Sequence, residues 1–240
     1  MTRCLRFVPA SLLISLTVAT SLLAGPRAQK SQTSASARKA AAHKESEAPV
    51  LSTATISVGG VKDIDPDKAF GSKTAPVVVE IFSDFQCPAC RALFLNTTQK
   101  VMDNYVNTGK IYLVHRDFPL PMHAYSGIAA SYSRAAAHIG KCEPVEMALF
   151  QNQDKWEANG DVRGTVASVL SASEMKKVDA IVASKELDPL IEKDKAIGMT
   201  FPISQTPTTV FHAHGQTYPY AGTLNYDVLK EFLDQLVAQK

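Results

Sequence analysis

An α/β fold interrupted by a helical insertion is what this sequence predicts, and three observations carry the prediction. Val77 to Phe82 (VVVEIF) is a short apolar, β-branched run bounded by Pro76 and Ser83, the pattern of a strand buried on both faces. A helix-length segment and a second strand, Ile111 to Val114 (IYLV), follow it, and strand, helix, strand at this spacing implies a parallel pair. Between His123 and Gly198 only helical signals occur, after which Thr208 to Phe211 returns to strand.

Taken in order, the chain opens with Arg3 and Arg6 and then an apolar or small run from Phe7 to Gly25. Basic residues before such a run read as an export signal, and export places the protein in an oxidising compartment. The run is also about as long as a membrane-crossing helix needs, so an uncleaved anchor is the competing reading. Residues 26–54 are rich in Ala, Ser, Lys and Gln with almost no large apolar side chain, too little to offset the entropy of ordering, and read as a flexible linker. Residues 55–240 form the folded domain, with the helical insertion at about 122–198.

Inside the domain, Cys87 to Asn107 carries Phe94, Val101 and Tyr105 at helical spacing, and Gly109 stands just beyond as a stop. The second strand ends at Asp117, Phe118, Pro119, Leu120 and Pro121. The insertion contains the Ala-rich stretch Gly127 to His138, a segment around Glu143 to Gln153, and Val162 to Leu170. A further helix starts after Ser171, which forms a capping box with Glu174. A hairpin then joins Thr208 to Phe211 with Thr217 to Tyr220 around His214-Gly215-Gln216. Val228, Leu229, Phe232, Leu233, Leu236 and Val237 give a closing amphipathic helix.

Composition narrows the function classes. With 240 residues, 45% hydrophobic and 20% charged, the chain is an ordinary globular one of one or two domains. A net charge of +2 is too small a field for sequence-independent phosphate binding, so nucleic acid is not an expected partner. Four cysteines over this length are too few for a disulfide-stapled scaffold, and their positions matter more than their number.

Cys87-Pro88-Ala89-Cys90 follows a strand and opens a helix. At a helix N-terminus the unpaired N–H groups and the positive end of the dipole favour an anion, so the Cys87 thiolate should be stabilised and Cys90, one turn inside, should be the more buried thiol. A low-pKa sulfur is also the better leaving group in exchange. Cys87 is therefore read as nucleophile and substrate contact and Cys90 as its resolving partner. A structural disulfide or half of a zinc site competes with this reading, but zinc would need a second ligand pair that lone Cys142 and scattered histidines do not supply.

Ser83-Asp84-Phe85-Gln86-Cys87-Pro88-Ala89-Cys90 resembles the active-site segment of the DsbA-like thiol:disulfide oxidoreductases. His115-Arg116-Asp117-Phe118-Pro119-Leu120 with His123 is similar to that family's entry into its helical insertion, and Gln205-Thr206-Pro207-Thr208 resembles its cis-proline loop. The resemblance runs from about Asp65 to the carboxyl terminus. It implies a thioredoxin-like fold with an inserted α-helical subdomain. It also implies a cis bond at Pro207, which would stack against the cysteine pair and leave the Thr206 backbone free to pair with substrate. Pro88, Ala89, Thr206 and Pro207 thus support the catalytic Cys87 and Cys90. The implied activity is disulfide exchange with folding exported proteins, most naturally as an oxidase in the periplasm or another extracytoplasmic compartment, without bound cofactor or metal. Reoxidation would fall to a quinone-linked membrane partner similar to DsbB or a vitamin K epoxide reductase homologue. Isomerases of this type tend to carry a dimerisation domain, which the polar linker is not, so a monomer is expected.

Two departures from the family pattern stand out. Ile81 occupies the position six before the first active cysteine, where thioredoxin-fold enzymes usually hold a buried acid, and the neighbouring Glu80 should face the other way by strand alternation. Pro88-Ala89 also lacks the His found between the cysteines of the strongest oxidases, which implies a weaker oxidant. A periplasmic reductase or isomerase is therefore a competing reading. A copper-handling module is another, in which His212 and His214, taken to share a strand face, would assist the cysteines. Cys142 reads as a small buried side chain, Asp84 as a loop or helix cap, and His123 either as a residue near the active site, as the family arrangement implies, or as a solvent-contacting residue at a helix start.

Overall fold

The computed structural model describes residues 55–239. The leader, the whole linker (residues 26–54) and Cys4 lie outside the described residues. Two short strands come first, β1 (Ile56–Val58) and β2 (Val61–Ile64), paired antiparallel as a separate hairpin. A 3-10 turn at Pro66–Lys68 leads to β3 (Ala69–Gly71), then β4 (Val77–Ser83). Helix α1 (Pro88–Leu93) runs on through a π-helical turn at Phe94–Thr98, α2 (Gln99–Val101) and a second π turn at Met102–Val106. Gly109, at φ 74°, donates its N–H to the Val106 carbonyl and ends the helix, as the sequence predicts.

Strand β5 (Ile111–Asp117) follows and pairs in parallel with β4, from Val77 opposite Ile111 to Ser83 opposite Asp117. The insertion then supplies α3 (Ser126–His138), α4 (Cys142–Gln151), α5 (Gln153–Asn159), α6 (Val162–Ala167), α7 (Ala172–Ser184) and α8 (Asp188–Thr200). Both halves of the capping box form at Ser171 and Glu174. The chain closes with β6 (Thr208–Ala213), β7 (Gln216–Ala221) and α9 (Tyr226–Ala238). His214 and Gly215, both at positive φ, make the two-residue turn between β6 and β7, and that backbone matches the twist of the strands it joins.

The five-stranded sheet has the order β3-β5-β4-β6-β7, with only the β4–β5 pair parallel. This is the thioredoxin-like α/β arrangement with an inserted helical subdomain. Sequence periodicity foresaw four of its strands and missed β3, which at three residues is too short to show a pattern. The predicted segment around Glu143 to Gln153 divides at Asn152 into α4 and α5. The predicted strand Ile111 to Val114 continues for three more residues, His115, Arg116 and Asp117, all buried. Polar residues end a strand in local pattern reasoning, but these are buried because countercharges from distant segments meet them.

Alternation along β4 sorts its side chains between the faces of the sheet. Val77 and Val79 join Val101, Tyr105, Leu229 and Leu233 in the core beneath α2 and α9, with Ile81 packed on its edge. Val78 packs on the β1–β2 hairpin and Phe82 against Phe118 and Val210. Both faces are covered, which is why the strand reads as an unbroken apolar run. The insertion holds its own core of Ala129, Val145, Leu149, Trp156, Val166 and Val178, and Phe85, Cys87 and Cys90 belong to it. The cysteine pair therefore sits where the insertion meets the end of the sheet.

Candidate active site

Cys87 takes the N-cap position of α1 with an extended backbone (φ −81°, ψ 120°), and Pro88 occupies the first turn, where its missing N–H is no loss. Both cysteines of the pair are free thiols, Cys87 7% exposed and Cys90 1%. The Cys87 thiol donates to the Thr206 carbonyl at 3.3 Å, and the Asp84 N–H donates to Cys90 Sγ at 3.4 Å. The Thr206–Pro207 peptide is cis, and Pro207 is buried at the start of β6. The fold thus brings Cys87, Cys90 and Thr206 together, with Pro88 exposed and Ala89 half-buried on the helix turn between the sulfurs.

The two sulfurs are electrostatically unequal. The Cys87 thiol is held down to about 5, chiefly by the hydrogen bond the Cys90 thiol gives to its thiolate. The Thr206 side chain and the backbone N–H groups of Cys90 and Ala89 add to this, against burial, which pushes the other way. The Thr206 hydroxyl is buried without a partner in the thiol form and so is available as a donor to the thiolate. Burial and then the Cys87 thiolate beside it push Cys90 well above the ordinary thiol range.

A set of buried polar side chains holds the cysteine loop in place. The Asp84 carboxylate accepts hydrogen bonds from the N–H groups of Gln86 (2.7 Å) and Leu120 (2.8 Å) and from the Ser126 hydroxyl, and it pairs with His123 Nδ1 at 2.7 Å. Its role is the loop cap that the sequence predicts, and His123 is its partner rather than a free solvent contact. Gln86 Oε1 accepts from the Tyr125 N–H at 2.8 Å. From the insertion, Gln153 Nε2 donates to the Phe85 and Cys87 carbonyls at 2.6 and 3.1 Å. Nothing in the sequence marked Gln153, because its partners lie more than sixty residues away.

Glu80 faces away from Cys90, as strand alternation required. Its carboxylate is taken up by Arg116 Nε at 2.7 Å and His212 Nε2 at 2.8 Å. His212 and His214 do not share a strand face, because His214 lies in the turn; its Nε2 contacts the Leu236 carbonyl at the end of α9. The shared-face ligand reading of these two histidines is thereby corrected. Among the described residues, no group of three or more His, Cys, Asp or Glu is placed to hold a metal ion. Cys142 is buried, 3.4 Å from Glu146 Oε1, and burial pushes its thiol well up.

Fold and site together define a thiol:disulfide exchange protein, with an acidified thiol at Cys87, a buried thiol at Cys90 and a cis-proline loop on one sheet end. The family model described as "Thioredoxin" matches residues 63–235, and the chain belongs to that family. It is 21% identical over 173 residues to a probable disulfide bond formation protein D of Bacillus cereus, covering 70% of this chain and 77% of the relative. Among solved structures, Wolbachia pipientis alpha-DsbA1 superposes with a TM-score of 0.60 at 21% identity, covering 71% of this chain and 90% of that one. Bacillus subtilis BdbD, in its oxidised form, gives 0.61 at 19% identity, covering 72% and 93%.

Proposed function

We propose that the protein is an exported disulfide oxidase acting on folding proteins through the Cys87–Cys90 pair. The observation that carries this reading is the inequality of the two sulfurs: a Cys87 thiolate served by Cys90, Thr206 and helix N–H groups stabilises the reduced form, and a stabilised reduced form makes an oxidant. In the oxidised enzyme a substrate thiolate attacks Cys87 Sγ. The Cys87–Cys90 bond breaks, Cys90 leaves as thiolate and takes a proton, and substrate and Cys87 are joined. A second substrate thiolate attacks the substrate sulfur of that bond and Cys87 leaves as thiolate. Two substrate thiols have become one disulfide, and the enzyme holds the two electrons.

Those electrons would pass to a quinone-linked membrane partner of the DsbB or vitamin K epoxide reductase type. Pro88 and Ala89 set the first turn, while Thr206 and Pro207 form the surface on which the substrate chain lies. Export rests on the apolar leader; among the described residues no helix is long and apolar enough to cross a membrane. The test is the reduction potential of the pair in the full chain, by equilibration with glutathione, beside the pH dependence of Cys87 alkylation. A potential clearly above that of thioredoxin, about −270 mV, supports the oxidase. A value at or below it turns the reading to a reductase, and failure to exchange with glutathione removes disulfide chemistry altogether.

A further inference from the structure

One buried nitrogen near the cysteine pair has no partner. His115, 5% exposed on β5, gives its Nδ1 to Glu146 Oε1 at 2.6 Å, while its Nε2 is buried and makes no hydrogen bond. His115 lines a small cavity together with Cys90, Ser83 and Ile81. The cavity measures about 30 Å³ to the centres of water molecules, room for one or two waters. The remaining walls are largely apolar, including Leu93, Phe94 and Leu113.

We propose that His115 passes protons to and from the Cys90 sulfur across this cavity, held in register by Glu146 and Lys68; the inference rests on the exchange reaction proposed above. Glu146 Oε1 also receives Lys68 Nζ at 2.6 Å, the Ser133 hydroxyl at 3.3 Å and the Cys142 thiol at 3.4 Å. Lys68 is fully buried and pairs as well with Asp117 Oδ1 at 3.3 Å. Although burial raises the Glu146 carboxyl, the Lys68 ammonium and the hydrogen bonds from Lys68 and His115 Nδ1–H act against it and hold the group below the usual carboxylate range whether or not the His115 ring carries a charge. An ionised Glu146 accepts from Nδ1–H, and this fixes the tautomer: the neutral ring turns its Nε2 lone pair towards the cavity. Phe85 and Phe150 pack on the ring at 5.5 and 6.5 Å and hold its plane. The titratable groups facing His115 are therefore Glu146 and Cys142 from α4, Lys68 from the 3-10 turn, Asp117 from its own strand, and Cys90 across the cavity. Glu143 stands at the cavity wall with an exposed side chain.

The proton is needed in both directions. When a mixed disulfide on Cys87 is resolved, the Cys90 thiol gives its proton to His115 Nε2, directly or through one water. The resulting Cys90 thiolate attacks Cys87 Sγ, the Cys87–Cys90 bond forms, and the partner sulfur leaves as thiolate. When substrate opens the pair, the Cys87–Cys90 bond breaks, the electron pair goes to Cys90 Sγ, and the imidazolium returns the proton. A thiol held well above its ordinary pKa attacks slowly at neutral pH unless a base takes its proton as it moves.

The decisive measurement is the rate at which Cys90 resolves a glutathione mixed disulfide formed at Cys87, followed in the full chain from pH 5 to 10. His115→Gln should slow resolution at pH 7 by at least about tenfold, converge on wild type at high pH where hydroxide takes over, and leave the pH profile of Cys87 alkylation unchanged. An unchanged resolution profile in a folded His115→Gln protein overturns the proposal, as does an equal slowing at every pH. If that variant fails to fold, the His115 Nε2 nitrogen resonance of the wild-type protein decides. A shift between the oxidised and reduced states supports the relay, and none overturns it. Wild-type protein that never exchanges with glutathione would instead refute the exchange reading, so the two failures are distinguishable.

Discussion

Cys87 shows most directly how position becomes chemistry. Its thiol sits at about 5 in the folded state against an ordinary thiol value of 9.0, so it contributes stability to the reduced fold that is complete above pH 9. That contribution is lost as the pH falls towards 5. The oxidised form has no such group, and unfolding in urea at pH 8.5 and at pH 5 should show the reduced form losing stability relative to the oxidised one. Cys90→Ser should leave Cys87 reactive and accumulate its mixed disulfide with substrate, while Cys87→Ser should abolish exchange; non-reducing electrophoresis of trapped complexes reads both. The loop beneath them depends on Gln153. Its truncation to Ala leaves the Phe85 and Cys87 carbonyls without their donor and should cost about 1–3 kcal/mol by denaturant titration, with a parallel loss of exchange rate.

At the scale of elements, β5 and α8 show what local pattern does and does not reveal. The apolar half of β5 was readable because Ile111 to Val114 packs on both faces of the sheet. Its polar half, His115-Arg116-Asp117, was not, since what keeps it extended and buried is Asp194 on α8, Glu146 on α4 and Arg134 on α3. Helix α8 approaches the sheet closely at Gly198. A Cβ there would meet the Phe118 ring at 2.6 and 2.9 Å and Phe82 at 3.2 Å, and both rings are buried and fixed. Gly198→Ala would gain about 1 kcal/mol in helix propensity. Overpacking of about 1–3 kcal/mol acts against it. The net expectation is destabilisation, read as a lower urea midpoint with unchanged slope.

Over the whole molecule, the insertion is fastened to the sheet by buried charge as well as by the apolar contacts around Phe82 and Phe85. Arg134 binds Asp117 on β5, Asp65 before the 3-10 turn and Asp194 on α8, while Arg116 joins Glu80 to the same Asp194. Removing one member of such a set strands its partners in a dry interior, so Arg134→Met should cost about 3–5 kcal/mol. With the size dependence of thermal unfolding, that is a fall in Tm of roughly 6 to 20 °C by calorimetry. The same network delivers Lys68 and Glu146 to His115, so the chemistry at Cys90 and the docking of the insertion share side chains.

Much of this was already written in local sequence. Unbroken β-branched runs, the capping box at Ser171, the Gly109 stop and the helical spacing of Leu229, Leu233 and Leu236 are interactions between neighbours in the chain, and those alone place four strands, most helices and the cysteine pair at a helix start. The short strands β1 to β3, the Asp84–His123 clasp, Gln153 beneath the cysteine loop and the buried charges around Arg134 came only with the tertiary structure. A buried polar group is tolerated only beside a partner, and these partners lie tens of residues away. Nearby residues impose a periodicity that can be read along the chain, whereas a charge neutralised across the fold leaves no local trace.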